Sequence, residues 1–178
     1  MTAKKKTIAT VWLDGCSGCH MSFLDLDERL IEVADKADLV YSPLVDVKEF
    51  PKMVDVTLIE GAVSSVEDLA KIRHVRKHTR ILISLGDCAV TANVPAMRNQ
   101  FPLKDVLARA YHENVTEGPE TPTAVIPQLL EQVRPVHQVV PVDVFIPGCP
   151  PHRDVIYEAL IGILNDTPPD TINSRFGA

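Results

Sequence analysis

The chain has 178 residues, 46% of them hydrophobic and 24% charged, which is ordinary globular chemistry and enough for one domain with a sizeable core. Its formal net charge of -6 speaks against nucleic-acid binding, which needs a basic face. The short basic runs, Lys4–Lys6 and the cluster of Arg73, His74, Arg76, Lys77 and His78, read as solvated surface. No apolar run approaches the roughly 18 residues of a membrane span. Thr7–Leu13 is too short for a secretory core and ends in Asp14 rather than a small-residue cleavage site, so the chain reads as cytoplasmic, without membrane insertion. In a reducing compartment its four cysteines are expected to serve metal or redox chemistry rather than structural disulfides.

In chain order, Thr7–Trp12 is a short β-branched run that suits a buried strand, and it ends in the turn Asp14-Gly15-Cys16-Ser17-Gly18-Cys19. From Met21 to Val33 apolar residues recur at helical spacing between acids, the pattern of one amphipathic helix. Ala37–Tyr41 and Val54–Ile59 read as the second and third strands, the latter running into Glu60-Gly61. Ser64 with Glu67 suggests a capping box that opens a helix to about His78. Arg80–Leu85 is a fourth strand, leading to Gly86-Asp87-Cys88; Val142–Ile146 is a fifth, leading to Pro147-Gly148-Cys149-Pro150-Pro151. A last helix is expected from about Asp154 to Leu164.

Strands alternating with helices imply an α/β domain: a flavodoxin-like, doubly wound parallel sheet. The stretch from about 89 to 141 breaks the rhythm. It holds seven prolines, from Pro95 to Pro141, and reads as an irregular insertion before the last strand, with short helices at Leu103–Tyr111 and Ala124–Val133. The whole chain, 1–178, is expected to be one iron–sulfur domain, with a flexible N-terminus over about 1–6 and a tail over about 166–178.

Each cysteine follows a strand: Cys16 and Cys19 the first, Cys88 the fourth, Cys149 the fifth. Ligands of open parallel sheets bind at the carboxyl ends of the strands, so three distant loops should meet at one edge. Four thiolates there are the ligand set of a cubane iron–sulfur cluster or a structural zinc. Iron–sulfur leads. There is one Cys-x-x-Cys knuckle instead of the two usual for zinc, Pro150 follows Cys149, and Gly15, Gly18 and Gly148 precede ligands closely. A redox dithiol at Cys16 and Cys19, a zinc site, or unconnected buried cysteines remain open on spacing alone.

The segments WLDGCSGCHMSFLDLDE (Trp12–Glu28), LIEGAVSS (Leu58–Ser65), GDCA (Gly86–Ala89) and PGCPP (Pro147–Pro151) resemble the small subunit of nickel–iron hydrogenases, most nearly that of the cytoplasmic, bidirectional NAD-reducing type. The ordered motifs cover nearly the whole chain. The resemblance implies that Cys16, Cys19, Cys88 and Cys149 bind the proximal 4Fe-4S cluster. The nickel–iron centre would lie in a partner large subunit, and electrons would pass on to iron–sulfur and flavin subunits of a diaphorase module that reduces NAD. It also implies one cluster only and no catalysis by the chain alone. The complex I relative typically has adjacent cysteines at the first position, which Ser17 and Gly18 separate here; the energy-converting membrane hydrogenase subunit is the nearer alternative. A flavodoxin-like module with redox-sensing cysteines is the alternative of another class.

Further candidates surround the cysteines. Glu60 ends strand three on the same edge, as a proton-handling or neighbouring polar group. Asp14, Gly15, Ser17 and Asp87 are expected in turns around the cluster, or in loops Asp14–Ser17, Ala62–Ser65 and Asp87–Ala89 that would hold a flavin mononucleotide (FMN). His20 and His152 adjoin the motifs and read as packed or solvated, Trp12 and Phe23 as core or interface.

Overall fold

In the computed structural model, which describes residues 5–167, five parallel strands form the central sheet. They are β1 (Lys6–Trp12), β2 (Ala37–Tyr41), β3 (Val54–Glu60), β5 (Thr79–Leu85) and β7 (Val144–Ile146), in the order β2-β1-β3-β5-β7. This is the flavodoxin-like order, and the chain reverses direction across the sheet between β1 and β3. Two short strands, β4 (Val63–Ser65) and β6 (Leu129–Arg134), pair separately as an antiparallel ribbon.

The strands alternate their side chains between two cores. Ile8, Val56, Leu58, Ile83, Leu85 and Ile146 face one side, where Ile156, Leu160 and Ile163 of α6 (Arg153–Leu164) cover them. Val11, Ile59 and Leu82 face the other, against Ile72 and Val75 of α3 (Val66–Lys77) and Ala89 of α4 (Asp87–Thr91). Burial on both faces is why these strands read as continuous apolar runs. Among the described residues, no helix is long and apolar enough to cross a membrane.

Several expectations are corrected. The helix expected from Met21 to Val33 is two, α1 (Gly18–Leu24) and α2 (Arg29–Lys36). Asp27 adopts φ 50 between them, and the break lets Leu26 enter the core. The capping box lies one residue later than expected: Asp68 N donates to Ser65 Oγ at 3.0 Å, and both Ser65 N and Ser65 Oγ donate to Asp68 Oδ2. The last strand is shorter than Val142–Ile146 because the Asp143 carboxylate accepts from Leu82 N at 2.7 Å, a side chain standing in for the ladder.

The insertion is more regular than its prolines suggest. It holds a 3-10 segment (Val94–Gln100), α5 (Leu103–Ala108) continued by a wider turn over Arg109–Glu113, and β6. The helix expected over Ala124–Val133 is absent. Pro127 and Pro135 bracket this segment, and Leu129–Arg134 pairs with β4 instead. Arg98 clamps the ribbon, its guanidinium donating to Leu130 O at 2.8 Å and Ser64 O at 3.2 Å.

Lys6 already belongs to β1. Residues 1–4, and 168–178 of the expected tail, lie outside the described residues.

Candidate metal centre

The loops after β1, β5 and β7 meet at the carboxyl edge of the sheet, as parallel topology requires. Backbone bonds hold them together. Leu13 N donates to Glu60 O at 2.9 Å, and Asp14 and Ala62 exchange a pair of bonds at 3.0 and 2.7 Å, tying the β1 loop to that after β3. Gly86 N donates to Ile146 O at 2.7 Å, Asp87 N donates to Gly148 O at 2.9 Å, and Gly148 N donates to Asp87 Oδ1 at 2.7 Å. The loops of Cys88 and Cys149 are thus joined in both directions. Ser22 of α1 donates to Pro151 O at 2.6 Å, joining the first cysteine loop to the last.

All four cysteines are free thiols. Cys16 and Cys149 are exposed, Cys88 is half-buried and Cys19 is buried. Burial pushes the Cys19 thiol far up, reinforced by the charges of Glu60, Cys88, Cys16 and Cys149. Burial and then the charges of Cys149, Cys16, Glu60 and Asp14 push Cys88 from 9.0 up to about 11. Four sulfurs therefore lie within electrostatic reach of one another in a partly dry pocket. Cys19 and Cys88 resist ionisation by themselves, and the set suits a multivalent cationic group that would reverse the repulsion.

Among the described residues, no three His, Cys, Asp or Glu side chains are gathered closely enough to hold one metal ion. Zinc would draw all its thiolates to about 2.3 Å from a single centre. A cubane instead takes one thiolate on each of four irons.

Glycine makes this packing possible at Gly86. A Cβ there would stand 2.2 Å from Cys19 Sγ, and φ is +81. Gly86 lies within the GDCA motif, and its place two residues before Cys88 is the sequence signal for this role.

The other expected residues fall as follows. Asp87 orients a loop through Gly148 N. Asp14 and Gly15 are exposed in the β1 turn. Ser17 precedes α1 with φ 67, and its side chain makes no cap bond. Glu60 is buried at 3% exposure, with Oε2 accepting from His20 N at 2.9 Å and from His20 Nδ1. His20 is equally buried, at 1% exposure, and Trp12 meets it edge-on with ring centres 5.1 Å apart. Phe23 lies in the core. His152 is exposed and caps α6, accepting from Asp154 N at 3.3 Å.

The flavin expectation gains no support from the loop after β3. Ala62 N donates to Asp14 O, Ser64 N and Ser65 N to the Asp68 carboxylate, and Val66 N to Gln128 O. An anionic side chain already takes the place a phosphate would need at the start of α3.

Comparison with known proteins places this arrangement in a family. The family described as "NADH ubiquinone oxidoreductase, 20 Kd subunit" matches residues 16–163. The chain is 45% identical over 177 residues to the NAD-reducing hydrogenase HoxS subunit delta of Cupriavidus necator, covering 95% of this chain and 85% of that one. It is 38% identical over 164 residues to a subunit of the F420-non-reducing vhu hydrogenase of Methanocaldococcus jannaschii, with 91% of this chain covered but only 57% of the relative's length. A chain in the crystal structure of NAD+-reducing [NiFe]-hydrogenase in the H2-reduced state superposes with a TM-score of 0.89 at 39% identity, covering 93% of this chain and 94% of that one. The chain belongs to the NADH ubiquinone oxidoreductase 20 kDa subunit family and, within it, to the small subunits of NAD-reducing nickel–iron hydrogenases.

Proposed function

We propose that Cys16, Cys19, Cys88 and Cys149 together hold one 4Fe-4S cluster, and that the chain carries electrons one at a time from the nickel–iron centre of a large subunit toward diaphorase subunits that reduce NAD. The observation that carries this reading is the convergence of four free thiols from the loops after β1, β5 and β7 on one sheet edge. When bound, the cluster supplies a one-electron carrier.

The chain's own residues do the rest. The four cysteines act as thiolate ligands. The joined loops of Cys88 and Cys149 keep two of them at a set separation, and Gly86 gives Cys19 room. Leu85, Ile146 and Phe23 lie buried beneath the edge, where a low dielectric tunes a cluster's potential. Cys16 and Cys149, being exposed, mark the side where partners approach. All four cysteines are used, so hydrogen splitting belongs to the large subunit, whose nickel needs its own ligands. Free thiols in a chain of this family suit the cytoplasm.

The test is purification of the native complex with metal, sulfide and spin analysis. About four iron and four sulfide per chain of this subunit are expected beyond those of its partners, lost when Cys88 or Cys149 is changed to Ser. A complex that keeps its full iron and sulfide content in those variants would overturn the ligand assignment.

A further inference from the structure

Helix α1 carries Cys19 in its first turn, yet its own N-cap residue contributes nothing: Ser17 makes no side-chain cap bond. A helix start leaves backbone N–H groups without partners, and the usual remedy is a side-chain oxygen from the N-cap to the third residue. Here the third residue is His20, and its N–H donates at 2.9 Å to Glu60 Oε2, a carboxylate at the end of β3, forty residues away. The cap of the cysteine helix is supplied from the neighbouring strand.

We propose that Glu60 is the positioning residue of the Cys19 ligand, capping α1 across the sheet edge, and that its buried charge sets the potential of the cluster. This rests on the cluster reading above and deepens it. Three observations support it. His20 Nδ1 donates to the same carboxylate oxygen, and both side chains are almost fully buried. His20 Nε2 has no partner among the described residues, so Glu60 is the group that holds the ring. Glu60 O also accepts from Leu13 N at 2.9 Å, so the backbone bearing the carboxylate is fixed to the loop it serves. A carboxylate in so dry a place is costly unless bonded, and both of these bonds fall on Oε2.

The charge matters as well as the bond. The carboxylate is bonded to the amide of His20, the residue directly after Cys19. A negative charge held beside that ligand opposes the extra electron of the reduced cluster and holds its potential down.

The experiment compares the wild-type complex with Glu60→Gln and Glu60→Ala, reading iron and sulfide content, the electron paramagnetic resonance spectrum and the midpoint potential. Glu60→Gln keeps an oxygen for His20 N; wild-type iron content with an upward shift in potential is expected. Glu60→Ala removes cap and charge; loss of more than half the cluster is expected. An unchanged potential in Glu60→Gln, or full cluster content with a wild-type spectrum in Glu60→Ala, would overturn the inference. If the wild-type complex carries no cluster on this subunit, the function proposed above fails instead, and the positioning role with it.

Discussion

The sulfur of Cys19 occupies the space that a side chain at Gly86 would need: a Cβ built there stands 2.2 Å from Sγ. The two residues come from different segments, the first turn of α1 and the turn after β5, and the contact sets how closely those segments approach. Gly86→Ala should therefore act on the metal centre first. The backbone there, φ 81 and ψ 163, lies in a region essentially reserved for glycine and adds about 1–3 kcal/mol of strain for alanine. The expected outcome is a complex with markedly less iron on this subunit, and a melting temperature lowered by more than the strain alone accounts for. Iron analysis and calorimetry measure the two effects separately.

Asp87 makes a different prediction from a similar place. Its Oδ1 accepts from Gly148 N at 2.7 Å, next to Cys149, a proposed ligand. Asp87→Asn retains an acceptor and should keep the cluster. Asp87→Ala leaves the Gly148 amide without its partner, a penalty of about 1–3 kcal/mol. That loosens the loop of Cys149, so cluster loss to an iron chelator, followed by the fading visible absorbance, should be faster in Asp87→Ala and near wild type in Asp87→Asn. Equal rates in all three would show that the loop is held by other bonds.

The central sheet was legible because its strands are buried on both faces and so appear as apolar runs, and the ends of those runs located all four cysteines. The ribbon of β4 and β6 was not. Val63–Ser65 is too short to carry a period, and Leu129–Arg134 lies between prolines in a segment where helix and strand patterns look alike. The break between α1 and α2 was missed for a related reason. Helical spacing of Met21, Leu24 and Leu30 continues through Asp27, and nothing local announces that Asp27 turns left-handed. At the site, Glu60 and His20 each stand beside the motifs, but no local pattern shows their pairing, since a bond across forty residues depends on the β1–β3 register, Trp12 opposite Glu60. The same register brings the end of β3 against the start of α1, where Glu60 is buried.

Ser65 provides a control that should spare the metal centre. Its hydroxyl accepts from Asp68 N and donates to the Asp68 carboxylate, closing the cap of α3 at the end of β4. Ser65→Ala should cost about 1 kcal/mol, within the 0.5–2 range for a lost cap. Chemical denaturation of the chain should record that loss while iron content stays at the wild-type level. A fall in iron would mean that the α3 start and the cysteine edge move together.

Removal of the metal should expose the unequal chemistry of the four thiols. In the cluster-free chain Cys88 is pushed from 9.0 up to about 11 and Cys19 further in the same direction, chiefly by burial. The thiolate is the reactive form, so at pH 8 an alkylating reagent should modify the exposed Cys16 and Cys149 first and Cys19 last. Stability follows the same asymmetry. Between about pH 9 and pH 11 the unfolded chain has released the Cys88 proton while the folded chain keeps it, so the folded state binds more protons and loses ground as pH rises. The cluster-free chain should be destabilised across that window, whereas the loaded subunit, whose sulfurs are already held as thiolates, should show no such slope. Peptide mapping of alkylated cysteines and denaturation at stepped pH measure both. Equal labelling of all four thiols, or a flat profile in the cluster-free chain, would mean that the pocket opens when the metal leaves.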